Sequence, residues 1–277
     1  MDIKLLADSS CNLQKLAGAS FATTPLRIIT EHKEYVDTAD LNVQQMVTEL
    51  QSYKGRSSTS CPNIDNWLHA FGDAENALCV TITSVLSGSY AAAEAARSSI
   101  LERFPQRNLY VLDSRSVGPE MQLHLEKAQE LAKEASDFSR FCLELEEYKE
   151  KTELIFILSS MKNLANNGRV SPVAAKMAGL LGIRAIGRAS EQGTLQLLDK
   201  VRGEQKALLT AVSSMQKMGY AGGKVRIAHC FNETGAEKVK RLLQDAFGNI
   251  LIEILPCTAL CSFYAENGGL LIGYEKG

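Results

Sequence analysis

The sequence predicts an α/β fold: two α/β domains with a ligand cleft between them, the first built on a mainly parallel sheet. Three observations predict it. The chain has 277 residues, against ~100–200 for a usual domain. Through the first half, short β-branched or apolar runs alternate with segments of helical periodicity, the pattern of a parallel sheet with crossover helices. Polar loops crowded with hydroxyls follow those runs, at the strand ends where open α/β sheets gather ligands. A change of texture places the boundary near residue 150, with an N-terminal domain at 1–150 and a C-terminal domain at 151–277 that closes the ligand site.

In the first half, residues 3–7 (Ile-Lys-Leu-Leu-Ala) read as a buried strand running into Asp8-Ser9-Ser10-Cys11-Asn12, which is rich in capping residues. Short extended segments lie around 24–36. Val43, Met46, Val47 and Leu50 recur at helical spacing over 42–52. The stretch 55–63 reads as a polar loop, and Pro62 opens a helix at 63–72. Leu78 to Ile82 is a strand, Thr83 to Ser89 a small-residue loop and Tyr90 to Leu101 a helix. Leu109 to Leu112 is a strand, followed by helices over 119–135 and 137–150. The charges Glu144, Glu146, Glu147, Lys149, Glu150 and Lys151 read as a solvated face.

In the second half, Leu154 to Leu158 is a strand, with helices expected near 161–166 and 172–180. The segments 184–186 and 194–198 flank Gly193 as a hairpin. A helix over 203–218, a strand at 225–228, a helix over 233–246 and a strand at 250–254 follow. A short helix near 257–265 and a strand at 269–274 close the chain.

Composition excludes several functions. The hydrophobic fraction of 45%, charged fraction of 22% and net charge of -2 describe an ordinary globular protein without the basic excess of a nucleic-acid binder. No stretch approaches the ~20 apolar residues of a membrane helix. The opening Met1-Asp2-Ile3-Lys4 lacks the features of a signal peptide, so a cytoplasmic protein is expected. The seven cysteines are irregularly spaced, and Cys257 with Cys261 lacks a second ligand pair, so buried thiols rather than disulfides or zinc are expected. No phosphate-binding loop, dinucleotide fingerprint, nucleophile elbow or zinc-protease motif occurs. His124 reads as an ordinary surface or core residue, and no catalytic residue is assigned.

The hydroxyl-rich loops remain, holding Ser9, Ser10, Ser57, Ser58, Thr59, Ser60, Thr83, Ser84, Ser87, Ser89 and Ser114. Hydroxyls and free N–H groups at helix starts suit an anion. Ser87 precedes Gly88, which lets a ligand approach the backbone, although Ser87 reads equally as an N-cap. An anion site calls for a cation, and Arg169, in the turn Asn166-Asn167-Gly168-Arg169, is the best candidate. A surface arginine capping a nearby helix is the competing reading. Met161, Met177, Leu180 and Leu181 read as core or as the lining of an apolar tunnel.

Taken in order, these loops resemble the DegV family of bacterial fatty-acid-binding proteins, which supply acyl chains to a separate fatty-acid kinase. The resemblance spans nearly the whole chain. It is carried by Asp8-Ser9-Ser10-Cys11-Asn12-Leu13, Thr59-Ser60-Cys61-Pro62, Ser84-Val85-Leu86-Ser87-Gly88-Ser89-Tyr90 and Asp113-Ser114-Arg115-Ser116. Asn167-Gly168-Arg169-Val170-Ser171 and Leu180-Leu181-Gly182-Ile183-Arg184 complete it. The resemblance implies the family's EDD fold and a long-chain fatty acid as the only ligand, with no metal and no other cofactor. Thr59, Ser60, Ser87, Gly88 and Arg169 would surround its carboxylate. Burying ~16 carbons at ~0.8 kcal/mol per CH₂ gives a gross term of about 12 kcal/mol, from which ordering costs subtract several.

One segment departs from the family. Where many members carry His-x-Gly-Pro-Gly, this chain has Phe263-Tyr264-Ala265-Glu266-Asn267-Gly268-Gly269. Tyr264 stands near the histidine's place, able to hydrogen-bond but uncharged at neutral pH. The expected activity is therefore carriage, not catalysis: a fatty acid presented to a partner fatty-acid kinase or other acyl-handling enzyme, with transient membrane-surface contact and no nucleic acid. The alternatives are a phosphotransferase-like enzyme and a sensor of another amphipathic acid.

Overall fold

The structure is a computed structural model and describes residues 1–171 and 182–277. The helix expected at 172–180, with Met177, Leu180 and Leu181, lies outside the described residues.

Strands β1 (Lys4–Asp8), β2 (Phe21–Thr24), β6 (Asn76–Thr81) and β7 (Asn108–Asp113) form a sheet in the order β2-β1-β6-β7. Every pairing in it is parallel, as the alternating pattern predicts. Side chains alternate across each strand. Leu5, Ala7, Leu78 and Val80 face Met121, Leu125, Phe141 and Leu145. Leu6, Ala77, Cys79 and Val111 face Trp67, Phe71, Ala93 and Ala96. Helices α2 (Ile64–Phe71) and α3 (Ser89–Arg103) thus cover one face, and α4 (Pro119–Glu134) and α5 (Phe138–Lys149) the other.

The expected loop at 55–63 contains a strand instead. Ser58–Ser60 forms β5, which pairs antiparallel with β3 (Arg27–Ile29), as does β4 (Glu34–Val36). Three small hydroxyl residues carry no hydrophobic alternation, so only the pairing partner decides their state. A second departure concerns Lys149. It is buried, with Nζ 2.6 Å from Glu146 and 3.3 Å from the Asp113 carbonyl.

The second half builds one mixed sheet in the order β10-β9-β8-β13-β11-β12. Its strands are β8 (Thr152–Leu158), β9 (Ile183–Ala189), β10 (Leu195–Arg202), β11 (Val225–His229), β12 (Ile252–Pro256) and β13 (Leu270–Glu275). The expected hairpin is there, longer than read, as β9 and β10. Ile155, Ile157, Ile227 and Ile272 face helices α7 (Glu204–Lys217) and α8 (Glu233–Phe247). Leu154, Phe156, Leu158 and Leu271 face the other way, toward the first half.

Two helices cross between the halves. α4 lies on β13, where a Cβ on Gly273 would come within 2.5 Å of the Glu120 backbone nitrogen. From α4, Glu126 takes a bidentate pair from Arg226 at 2.7 and 2.8 Å. The short helix α9 (Ala259–Ala265) leaves the second half and packs into the first, with Leu260 in its core and Phe263 beside Ile28, Tyr35 and Met46. No described helix is long and apolar enough to cross a membrane.

Candidate functional site

The loop between β6 and α3 is held from below by Asp8. Its buried carboxylate accepts from the Ile82 N–H at 2.9 Å and from Ser89 Oγ at 2.6 Å, and Ser10 Oγ also bonds it. Burial raises the Asp8 pKa against the pull of these donors. Two strand ends and the start of α3 are thereby tied to one carboxylate. Helix α3 begins after Gly88, which offers no side-chain cap, while Ser87 Oγ accepts from the Ser89 N–H at 3.3 Å. Ser87 therefore does act as a local helix-start acceptor. Its own hydrogen remains for a second bond.

Thr59 sits on β5 opposite Ile28, and its Oγ1 lies 2.7 Å from Tyr264 Oη. Two hydroxyls hold two hydrogens, and the bond between them uses one. The pair keeps one donor for a ligand. Burial raises the Tyr264 pKa, while Thr59 and the Arg169 charge pull it down. Arg169 Nε donates to the Leu86 carbonyl at 3.2 Å, and its Nη1 donates to the carbonyl of Asn167. Asn167 ends helix α6 (Lys162–Asn166), so Arg169 bonds a helix end, and it also lines the cavity described next.

All the expected residues, Thr59, Ser60, Ser87, Gly88, Arg169 and Tyr264, line one cavity of ≈ 260 Å³. Arg169 is the only cation among its described lining residues. The apolar wall is Leu26, Ile82, Leu86, Val117, Leu164, Leu195 and Leu260. A second, wholly apolar cavity of ≈ 50 Å³ shares Val117, Leu164, Leu195, Leu260 and Tyr264 with it and ends on Leu154, Phe156, Leu158 and Leu271. The polar groups thus gather at one end and the hydrocarbon side chains at the other, the arrangement an amphipathic acid requires.

Sequence reading missed Cys61, which lines the same cavity and could have been inferred from its place beside Ser60. It also missed the apolar wall, which comes from six separate segments without a common local signal. Met161 is core and does not line the cavity. His124 is fully buried, with Nε2 2.9 Å from Thr152 Oγ1. The seven cysteines are free thiols, and no group of metal-ligating side chains occurs among the described residues.

Fold and site together define a two-domain α/β protein with an amphipathic ligand cavity between its halves. A model of the family described as "Uncharacterised protein, DegV family" matches residues 2–276, and the chain belongs to the DegV family. It is 39% identical over 279 residues to a DegV domain-containing protein of Streptococcus pneumoniae, covering 99% of both chains. The structure of a Eubacterium eligens DegV family protein loaded with heptadecanoic acid has 41% identity and a TM-score of 0.97, covering 99% of this chain and 100% of that one. The Streptococcus pneumoniae fatty acid kinase (Fak) B3 protein loaded with linoleic acid has 39% identity and a TM-score of 0.97, with 100% of both chains covered.

Proposed function

We propose that this chain binds one long-chain fatty acid between its halves and presents the carboxylate to a fatty-acid kinase or another acyl-handling enzyme. In this reading it is a carrier and not itself an enzyme, and it works in the cytoplasm beside that partner. The carboxylate lies among Thr59, Ser60, Ser87, Gly88, Arg169 and Tyr264, and the acyl chain runs past Val117 and Leu195 toward Phe156 and Leu271. The domains divide at about residue 150, a boundary supported by the strand lists: one sheet draws only on β1, β2, β6 and β7, the other only on β8 to β13.

The observation that carries the reading is the adjacency of the two cavities, whose described linings place hydroxyls and a guanidinium at one end and apolar side chains at the other. Two structures of similar sequence, solved with heptadecanoic and linoleic acids, support it. The test is gentle solvent extraction of the purified protein followed by mass spectrometry. A fatty acid at near one equivalent is expected. A protein that neither carries nor takes up a fatty acid would end this reading.

A further inference from the structure

Helix α9 brings Tyr264 to the cavity, yet the groups that hold its start come from the far end of the sequence. Thr258, at its N-cap, makes no side-chain cap bond to the helix. The first N–H groups of a helix have no partner inside it. Here Asp37, buried just after β4, accepts from the Ala259 N–H at 2.9 Å and the Leu260 N–H at 3.1 Å, and from Thr258 Oγ1 at 3.4 Å. Asn12 accepts from the Thr258 N–H at 2.7 Å and donates to the Pro256 carbonyl at 3.1 Å. A buried carboxylate is costly unless it is bonded, and these donors offset that cost. A negative group at a helix start is also favoured by the helix dipole.

The same small sheet holds both partners of the hydroxyl pair. Its strand β5 carries Thr59 directly, opposite Ile28 of β3. Asp37 is tied to it by its own N–H, which donates to the Leu26 carbonyl at 3.0 Å, and Asp37 in turn holds the helix that carries Tyr264. Arg169 arrives differently, on the segment after α6, and reaches across to the Leu86 carbonyl.

We infer that Asp37 is a positioning residue for the head group: it anchors α9 to the β4-β3-β5 sheet and so sets Tyr264 Oη against Thr59 Oγ1. The inference rests on the ligand reading above. It makes Tyr264, although late in the chain, part of the first half's site.

A double-mutant cycle on palmitic acid affinity tests this, with wild type, Asp37→Asn, Tyr264→Phe and the double variant. Asp37→Asn is expected to weaken binding about 5–10-fold in the wild-type background and less than about 2-fold once the Tyr264 hydroxyl is gone, the signature of coupled residues. Equal losses in both backgrounds would overturn the inference, because Asp37 would then act by some route other than Tyr264. Emission from Trp67, buried in the first half's core, checks folding. Should Asp37→Asn fail to fold, Asn12→Ala loosens the same helix start and enters the same cycle with the same two outcomes. Wild type that binds no palmitic acid overturns the ligand reading and this inference with it. Wild type that binds, with an additive cycle, overturns the inference alone.

Discussion

At the scale of single residues, the polar end of the cavity combines, among its described lining residues, one full charge with several neutral donors. The Arg169 guanidinium already serves two carbonyls, those of Leu86 and Asn167, which hold it in place before any ligand arrives. Hydrogen bonds to charged groups contribute ~1.5–3 kcal/mol, so Arg169→Ala is expected to weaken palmitic acid binding roughly 10–100-fold while hexadecanol loses much less. Equal losses for acid and alcohol, measured by displacement of a fluorescent fatty acid, would remove the charge role. Tyr264→Phe deletes a neutral hydroxyl bonded to Thr59, a loss of ~1 kcal/mol, or about 5-fold in affinity, and should leave the preference for acid over alcohol nearly unchanged.

At the scale of elements, the tip of the β9–β10 hairpin touches the loops that carry the site. Thr83 Oγ1 donates to the Gly193 carbonyl at 3.0 Å. Gly193 has φ +80, and a Cβ there would meet Thr83 Oγ1 at 2.1 Å and Arg115 Cα at 3.2 Å. Gly193→Ala therefore adds a clash across the seam to the strain of a left-handed backbone. Gly219 is the control: its φ is +97, but no atom lies within 4 Å of its Cβ position. Urea denaturation should show Gly219→Ala losing ~1–2 kcal/mol from backbone strain, and Gly193→Ala losing a further 1–3 kcal/mol from overpacking. Equal losses would mean that the hairpin tip yields without cost. Since Leu195 lines the cavity, Gly193→Ala should also weaken palmitic acid binding.

At the scale of the whole molecule, the seam between halves has a buried polar centre where α4 meets β8. Thr152 Oγ1 donates to Glu120 at 2.7 Å and lies 2.9 Å from His124 Nε2. Burial pushes Glu120 up to about 7, opposed by the hydrogen bond from Thr152; Glu153 raises it further and Lys276 lowers it. Burial also pushes His124 down to about 3, with the Lys149 charge adding to the effect. A carboxyl with a raised folded value contributes stability below its unfolded value, near 4.5, and loses it as pH climbs through 7. The imidazole has the opposite sign: its contribution is present above 6.5 and is lost as pH falls toward 3. Wild type should therefore lose stability relative to Glu120→Gln between pH 4.5 and 8, on the order of 3 kcal/mol at about 1.36 kcal/mol per pKa unit. A difference in urea stability that stays flat over that range would contradict this account.

Most of the fold was legible because it rests on local periodicity. The parallel strands around Leu5, Leu78 and Leu109 are buried runs between helix-patterned segments, and α3 and α4 follow from their own composition. The polar lining of the candidate cavity was legible, since hydroxyls beside Gly88 and an arginine after Gly168 are chemical signals carried by neighbouring residues. Ser58–Ser60 was not legible as a strand, because its state depends on pairing with β3 far along the chain. Nor did any local signal bring Leu26, Val117, Leu195 and Leu260 to one wall, or place Asp37 at the start of α9. By itself the sequence determined the two α/β halves, the anion-seeking loops and the family resemblance, all of which depend on residue type and short-range order. Only the tertiary structure decided which hydroxyl meets which: it set Tyr264 against Thr59 across 205 positions, because long-range contacts are chosen by packing between halves and not by the residues that flank them.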